Sequence, residues 1–270
     1  MSFELSFFLY LLAGCGAGLM SGLLGLGGGV IVVPMLTFIF LHSSINPDIV
    51  IHLAIGTSLT AMIFTTLSAT IAHNKLKRVE WNVLKKFAPG IILGVITGVL
   101  LSNSFDKKRL TIIFGIYLIF IATQMLFKKD PPLNSPTKPK LVKENTFTFS
   151  IGGIFIGLIS GILGVGGGTL IIPFLTYFGR DMHKAIGTSA ALGFFITIFG
   201  TIIFILLSSG NSNLPKGAIG FIYLPAVLGV SITSILFAPI GSKISVKLSP
   251  KILKRCFAIL LYLISLKLLT

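Results

Sequence analysis

Acidic side chains are scarce. Seven occur in 270 residues: Glu4, Asp48, Glu80, Asp106, Asp130, Glu144 and Asp181. Each falls at the end of an apolar run or between runs, so no carboxylate lies embedded in a hydrophobic stretch. That removes the paired carboxylates of a hydrolase and the intramembrane carboxylate relay usual in proton-coupled pumps. Cysteine is nearly missing too. Cys15 and Cys256 both sit within apolar runs, which argues against a disulfide framework and a paired-cysteine metal site. Charged residues of both signs make up 11% of the chain, against roughly 25% in soluble domains. A soluble globular fold is thereby excluded. Nucleotide fingerprints fail as well, because "GLGGGV" and "GVGGGT" lack the final glycine and no Gly-Lys-Ser/Thr follows. Nothing calls for a cofactor or a metal.

What is present is apolar. Long hydrophobic runs occupy 3–41, 49–72, 83–103, 110–127, 147–178, 184–207, 218–240 and 252–269. Several match the roughly 20 residues that cross about 30 Å of hydrocarbon. The expected fold class is an all-α polytopic membrane protein. The net charge of +15 does not point to nucleic acid, since almost every Lys and Arg lies between apolar runs, where basic residues anchor loops. The start, "MSFELSFFLY", has no basic n-region, so the first run is expected to persist in the mature protein.

The chain writes one glycine-rich phrase twice. "GLLGLGGGVIVVP" begins at Gly22 and "GILGVGGGTLIIP" at Gly161, and ten of the twenty positions in 21–40 recur in 160–179. Upstream, Gly14, Gly18 and Gly22 return as Gly153, Gly157 and Gly161; downstream, "HLAIGTS" from His52 returns as "HKAIGTS" from His183. The later halves match loosely, with Pro89 set against Pro225. Residues 1–127 and 147–270 therefore form two transmembrane repeats, separated by the polar, proline-rich linker 128–146.

Basic residues bear on the direction of the repeats. If each glycine-rich run is a single crossing, Lys and Arg divide almost evenly between the two sides. A re-entrant stub returning to its own side restores the same even count. If each run, broken at the glycines, is instead a hairpin that goes in and comes back, seventeen fall on the linker side and five opposite. Short cytoplasmic loops carry such an excess. The expectation is two repeats of four to five segments, inverted, in the inner membrane, with the linker cytoplasmic.

Each glycine cluster precedes an apolar helix, whose N-terminus presents unpaired amides and a partial positive charge. Glycines let an anion approach those amides, and in inverted-repeat transporters such broken helices meet at a midplane substrate site. Gly27, Gly28 and Gly29 with Gly166, Gly167 and Gly168 are thus candidate binding residues, against the alternative of a bare tight turn. Thr57 and Ser58 with Thr188 and Ser189 either line that site or bond back along their own helices. Pro34 and Pro173 would shape the short helices. Gly14, Gly18 and Gly22 fit close helix packing, and His52, His73 and His183 fit capping better than ligation.

The doubled glycine phrase, the two "AIGTS" elements and "IAHNKLKRVEW" (71–81) resemble the TauE/SafE family over nearly the whole chain. His73, Val79 and Trp81 fit that family's loop, whereas Arg78 stands where it usually has glycine. The resemblance implies a secondary transporter, not an enzyme, whose partners are a lipid bilayer and a small sulfur-containing anion such as sulfite, sulfoacetate or thiosulfate. It leaves the particular anion, the direction, the coupling ion and the oligomeric state open. The competing expectation is a non-transporting membrane subunit of a larger complex, or a transporter of another solute.

Overall fold

The computed structural model describes residues 2–43, 45–127, 145–207, 214–245, 255, 258–259 and 261–266. Most of the linker, with Asp130 and Glu144, lies outside the described residues, as does Cys256. Nine helices make up most of the described residues: α1 (Phe3–Leu24), α2 (Gly29–Leu41), α3 (Val50–Lys75), α4 (Trp81–Ser104), α5 (Lys107–Phe127), α6 (Thr146–Leu163), α7 (Gly168–Tyr177), α8 (Met182–Leu207) and α9 (Leu224–Ile244). Residues 255, 258–259 and 261–266 are helical as well. Two-residue strands at Ala218–Ile219 and Ile222–Tyr223 form a small hairpin before α9.

Among the described residues seven helices are long and apolar enough to cross a membrane, while α2 and α7, at 13 and 10 residues, are short. Phe8, Leu93, Ile116, Phe155, Leu228 and Leu236 point outward, as an apolar solvent for the bundle demands.

Each glycine-rich run is a hairpin of one long and one short helix. The α1 chain turns at 25–28, and α2 runs back beside it. The packing pairs prove the direction: a side chain at Gly28 would strike Ala17, Gly16 faces Ile31, and Tyr10 meets Phe40. The α6–α7 hairpin repeats this, with Gly152 against Phe174 and Phe149 against Phe178. Pro34 and Pro173 are each the sixth residue of their short helix. Proline there removes one amide, freeing the carbonyl four residues back.

The long helices pack by exchange between the two halves. α1 lies parallel to α9, with Gly14 on Val230, Gly18 on Ser234 and Gly22 on Ala238. α6 lies parallel to α4, with Gly153 on Phe87 and Gly90, Gly157 on Ile91 and Gly161 on Val95. A Cβ at Gly22 would come 2.0 Å from the Ala238 carbonyl oxygen, so these glycines serve close backbone approach. The contacts also correct the loose alignment of the later halves. Gly161 meets Gly98 while Gly22 meets Gly241, so Pro89 and Pro225 are not equivalent positions.

At the centre, α3 and α8 cross antiparallel, joined by Thr66–Thr197 (3.4 Å) and Thr60–Thr201 (3.3 Å) hydrogen bonds. Thr66 and Thr197 are the same position of the "AIGTS" register in each half.

Candidate functional site

The two glycine tips meet in the interior of the bundle. A Cβ on Gly27 would lie 2.8 Å from the Gly166 Cα, and one on Gly166 would lie 2.9 Å from the Gly27 Cα. Backbone conformation explains why glycine recurs here. Gly25, Gly27 and Gly28 have φ of 64°, 76° and 86°, and Gly164 and Gly167 have 67° and 70°, a region that costs other residues roughly 1–2 kcal/mol each. Gly25 and Gly164 end α1 and α6, their amides bonding to the carbonyls of Ser21 and Ser160.

α2 then starts at Gly28, whose carbonyl accepts from Ile31 and Val32 (3.0 and 3.1 Å). α7 starts likewise at Gly167, accepting from Leu170 and Ile171 (3.0 and 2.9 Å). The amides of Gly29 and Val30, and of Gly168 and Thr169, precede the first intrahelical donors. Two positive helix ends therefore face one small region. The cavity beside Gly28, lined also by Met20, Leu26, Val30, Ile31, Met125 and Leu261, is water-sized at about 10 Å³.

Four hydroxyls of the "AIGTS" elements tie the halves together in matched pairs. Ser58 Oγ donates to the Gly164 carbonyl (3.3 Å), and Ser189 Oγ donates to the Gly25 carbonyl (3.0 Å). Thr57 Oγ1 accepts from the Tyr223 amide, and Thr188 Oγ1 accepts from the Glu80 amide, both at 2.9 Å. Tyr223 and Glu80 are the N-cap residues of α9 and α4. All four hydroxyl residues are fully buried. The serines thus lie beside the tips, holding the residue that ends each long helix, while the threonines hold the start of the next helix across the interface. Gly29 abuts the Gly164 carbonyl and Gly168 abuts that of Gly25.

Two residues at the tips went unmarked as candidates in the sequence. Ser21 and Ser160 are fully buried, and neither hydroxyl has a hydrogen-bond partner. A Cβ on Gly167 would lie 3.1 Å from Ser160 Oγ, which places that hydroxyl against the start of α7. A buried hydroxyl without a partner costs about 1–3 kcal/mol. Their signal was recurrence at the same place in each glycine phrase.

The histidines behave unequally. His73 Nε2 donates to the Gly22 carbonyl (3.0 Å), leaving Nδ1 buried and without a partner. His52 Nε2 donates to the Ser102 carbonyl (3.3 Å). Near His73, the turn after α3 takes its left-handed residue at Lys77 (φ 55°), so Arg78 carries no φ that requires glycine. Arg78 donates instead to Ser245 Oγ (3.0 Å), and burial lowers its pKa while Asp181 opposes the shift. Among the described residues no group of three His, Cys, Asp or Glu side chains is placed to hold a metal ion.

Residues 10–268 match the family described as sulfite exporter TauE/SafE. The chain belongs to that family. It is 34% identical over 259 residues to a probable membrane transporter protein of Haemophilus influenzae, covering 95% of this chain and 96% of that one. A probable membrane transporter protein of Methanocaldococcus jannaschii is 31% identical, over 91% and 89% of the two chains. Another, YunE of Bacillus subtilis, is 30% identical over 90% and 91%. No solved structure matches. This TauE/SafE member is accordingly a multi-pass membrane protein of a transporter family, not an enzyme.

Proposed function

We propose that the chain is a secondary transporter exporting a small sulfur-containing oxyanion, of the sulfite, sulfoacetate or thiosulfate class, across the inner membrane. The observation that carries this reading is the meeting of two glycine tips, each at the N-terminus of a short helix, in the middle of the bundle. Gly27, Gly28, Gly29, Gly166, Gly167 and Gly168 offer amides to the anion. Ser58 and Ser189 hold the flanking carbonyls away from it, and Thr57 and Thr188 hold the helices behind. Pro34 and Pro173 keep α2 and α7 short and stiff.

The repeats, 1–127 and 147–270, are read as inverted. Two antiparallel helices touching at the equivalent residues Thr66 and Thr197 support an axis lying in the membrane plane. The parallel pairs α1–α9 and α4–α6 support the same axis. Together with the basic residues, this supports a cytoplasmic linker, 128–146. For an anion leaving the cell, the inside-negative potential supplies about 2.3 kcal/mol per charge per 100 mV, so export needs no embedded carboxylate.

The test is efflux from proteoliposomes loaded with sulfite, thiosulfate, sulfate or a small sulfonate, the potential being set by potassium and valinomycin. Selective, potential-dependent flux of a sulfur anion is the expected result. No flux of any of them from folded protein would favour another solute or a non-transporting subunit.

A further inference from the structure

The end of the bundle where α3 finishes and α4 and α8 begin carries a charged cluster that the glycine tips do not use. Glu80 stands at the start of α4, and its carboxylate Oε1 accepts from Arg180 Nη1 at 3.1 Å and lies 3.8 Å from Lys184 Nζ. Arg180 and Glu80 are mostly buried, with side chains 22% and 18% exposed, whereas Lys184 is half-exposed at 53%. The second carboxylate oxygen, Glu80 Oε2, is buried with no hydrogen-bond partner. Beside the pair opens a cleft of about 490 Å³, lined by Glu80, Trp81, Asn82, Lys86 and Arg180. The other carboxylate here, Asp181, is engaged in capping α8 through the amides of His183 and Lys184 (2.9 and 3.2 Å).

A carboxylate half-satisfied by an arginine, at the edge of an open cleft, occupies the place that a solute anion would take. Arginine suits an oxyanion because its planar fork donates to two oxygens at once. Glu80 also joins the two helix starts, since its amide bonds to Thr188 on α8. Thr188 stands next to Ser189, which holds the Gly25 carbonyl, so this cluster lies one residue along α8 from the Gly25 tip.

We infer that Arg180, with Lys184 and Lys86, forms an entry site for a small divalent or monovalent oxyanion at this end of the bundle, and that Glu80 is the internal carboxylate which the arriving anion displaces. The inference rests on the oxyanion reading of the substrate. The corresponding N-cap at the other end, Tyr223, carries no charge to displace.

The single tryptophan of the sequence, Trp81, lines the cleft, and its indole donates to Asn74 (3.1 Å). Its fluorescence, excited at a wavelength that spares tyrosine, reports occupancy without any need for flux. Purified protein would be titrated with sodium thiosulfate, sulfite and sulfate, against sodium chloride at matched ionic strength. The expected result is a saturable change with an oxyanion, not reproduced by chloride. Arg180→Gln should weaken it about tenfold, Arg180→Lys by less, and Glu80→Gln should tighten it several-fold.

No saturable change in folded wild-type protein overturns the inference, as do equal dissociation constants in all variants. Weakening by Glu80→Gln in parallel with Arg180→Gln also overturns it, because the pair would then be structural alone. The fluorescence and the proteoliposome flux fail separately. Saturable binding without flux sinks the transport reading and leaves the site, whereas flux without binding sinks the site and leaves the transport reading.

Discussion

The two ends of the bundle share a skeleton and differ in what clothes it. At one, Thr188 accepts from the amide that starts α4; at the other, Thr57 accepts from the amide that starts α9, with the same 2.9 Å length. The residue bearing that amide is Glu80 in the first case and Tyr223 in the second. Around Glu80 stand Arg180 and Lys184, 3.1 and 3.8 Å from its carboxylate. Around Tyr223 stand Tyr10 and Phe40, with ring centroids 6.5 and 5.6 Å away, and burial raises the pKa of the Tyr223 hydroxyl. Backbone-fastening hydroxyls are duplicated, and the side chains at the mouths are not. One end carries an ion pair and the other an aromatic cluster.

The comparison can be broken most forcefully at the shared skeleton. Gly168→Ala places a Cβ 2.0 Å from the Gly25 carbonyl oxygen, so it must push the tips apart. Flux should fall by about 100-fold or more, as expected for a displacement near 1 Å at a binding centre. Wild-type flux in that variant would remove the tips from the pathway. Valine at Gly28 or Gly167 should act similarly, since both residues have positive φ.

The hydroxyls come next. Thr57→Val and Thr188→Val each leave a part-buried N-cap amide without its acceptor, at about 1 kcal/mol. Similar falls in melting temperature are expected, because the bonds match. A fall in only one would show that the ends are not equivalent in their skeleton.

A finer contrast separates backbone strain from contact. Gly27→Ala and Gly166→Ala bring a Cβ to nearly the same distance from the opposite Cα, yet only Gly27 has positive φ. Gly27→Ala should therefore be the less stable of the two by roughly 1–2 kcal/mol, read from thermal melts. Equal losses would mean that contact alone decides. The smallest perturbation is a topological probe in a cysteine-free background. Cysteines at Ser2 and Ser43 should label from the same side, since α2 returns beside α1.

Much of this architecture is legible in the sequence. The glycine phrase, spaced identically in both copies, pointed to hairpins, and the split of basic residues favoured a return over a single crossing. Gly14, Gly18 and Gly22 followed a packing spacing and pack on α9 accordingly. The partners of Thr57, Ser58, Thr188 and Ser189 were hidden, because each bonds to a backbone group more than a hundred residues away. No periodicity encodes such a contact. Ser21 and Ser160 were visible as a repeated letter, but serine before a helix-ending glycine looks ordinary until its hydroxyl is found without a partner. Glu80 read as a loop acid because Arg180 lies 100 residues away. The offset of the later halves was misread through prolines, which mark backbone constraint and need not mark equivalence.

The mutual grip of the serines has a thermodynamic consequence. Ser58 holds the second copy and Ser189 holds the first, and the two bonds form together, so neither copy is tied more often than the other. In the carrier proposed above, two conformers that exchange the roles of the copies would start with nearly equal free energies, and neither would be a trap. The imbalance comes only from what the copies do not share, above all the Glu80 ion pair and the Tyr223 aromatic cluster. Each 1.4 kcal/mol of that imbalance tilts the populations about tenfold. On that proposal the unlike residues at the two ends would set the resting orientation, and the like residues at the centre would let the carrier turn over.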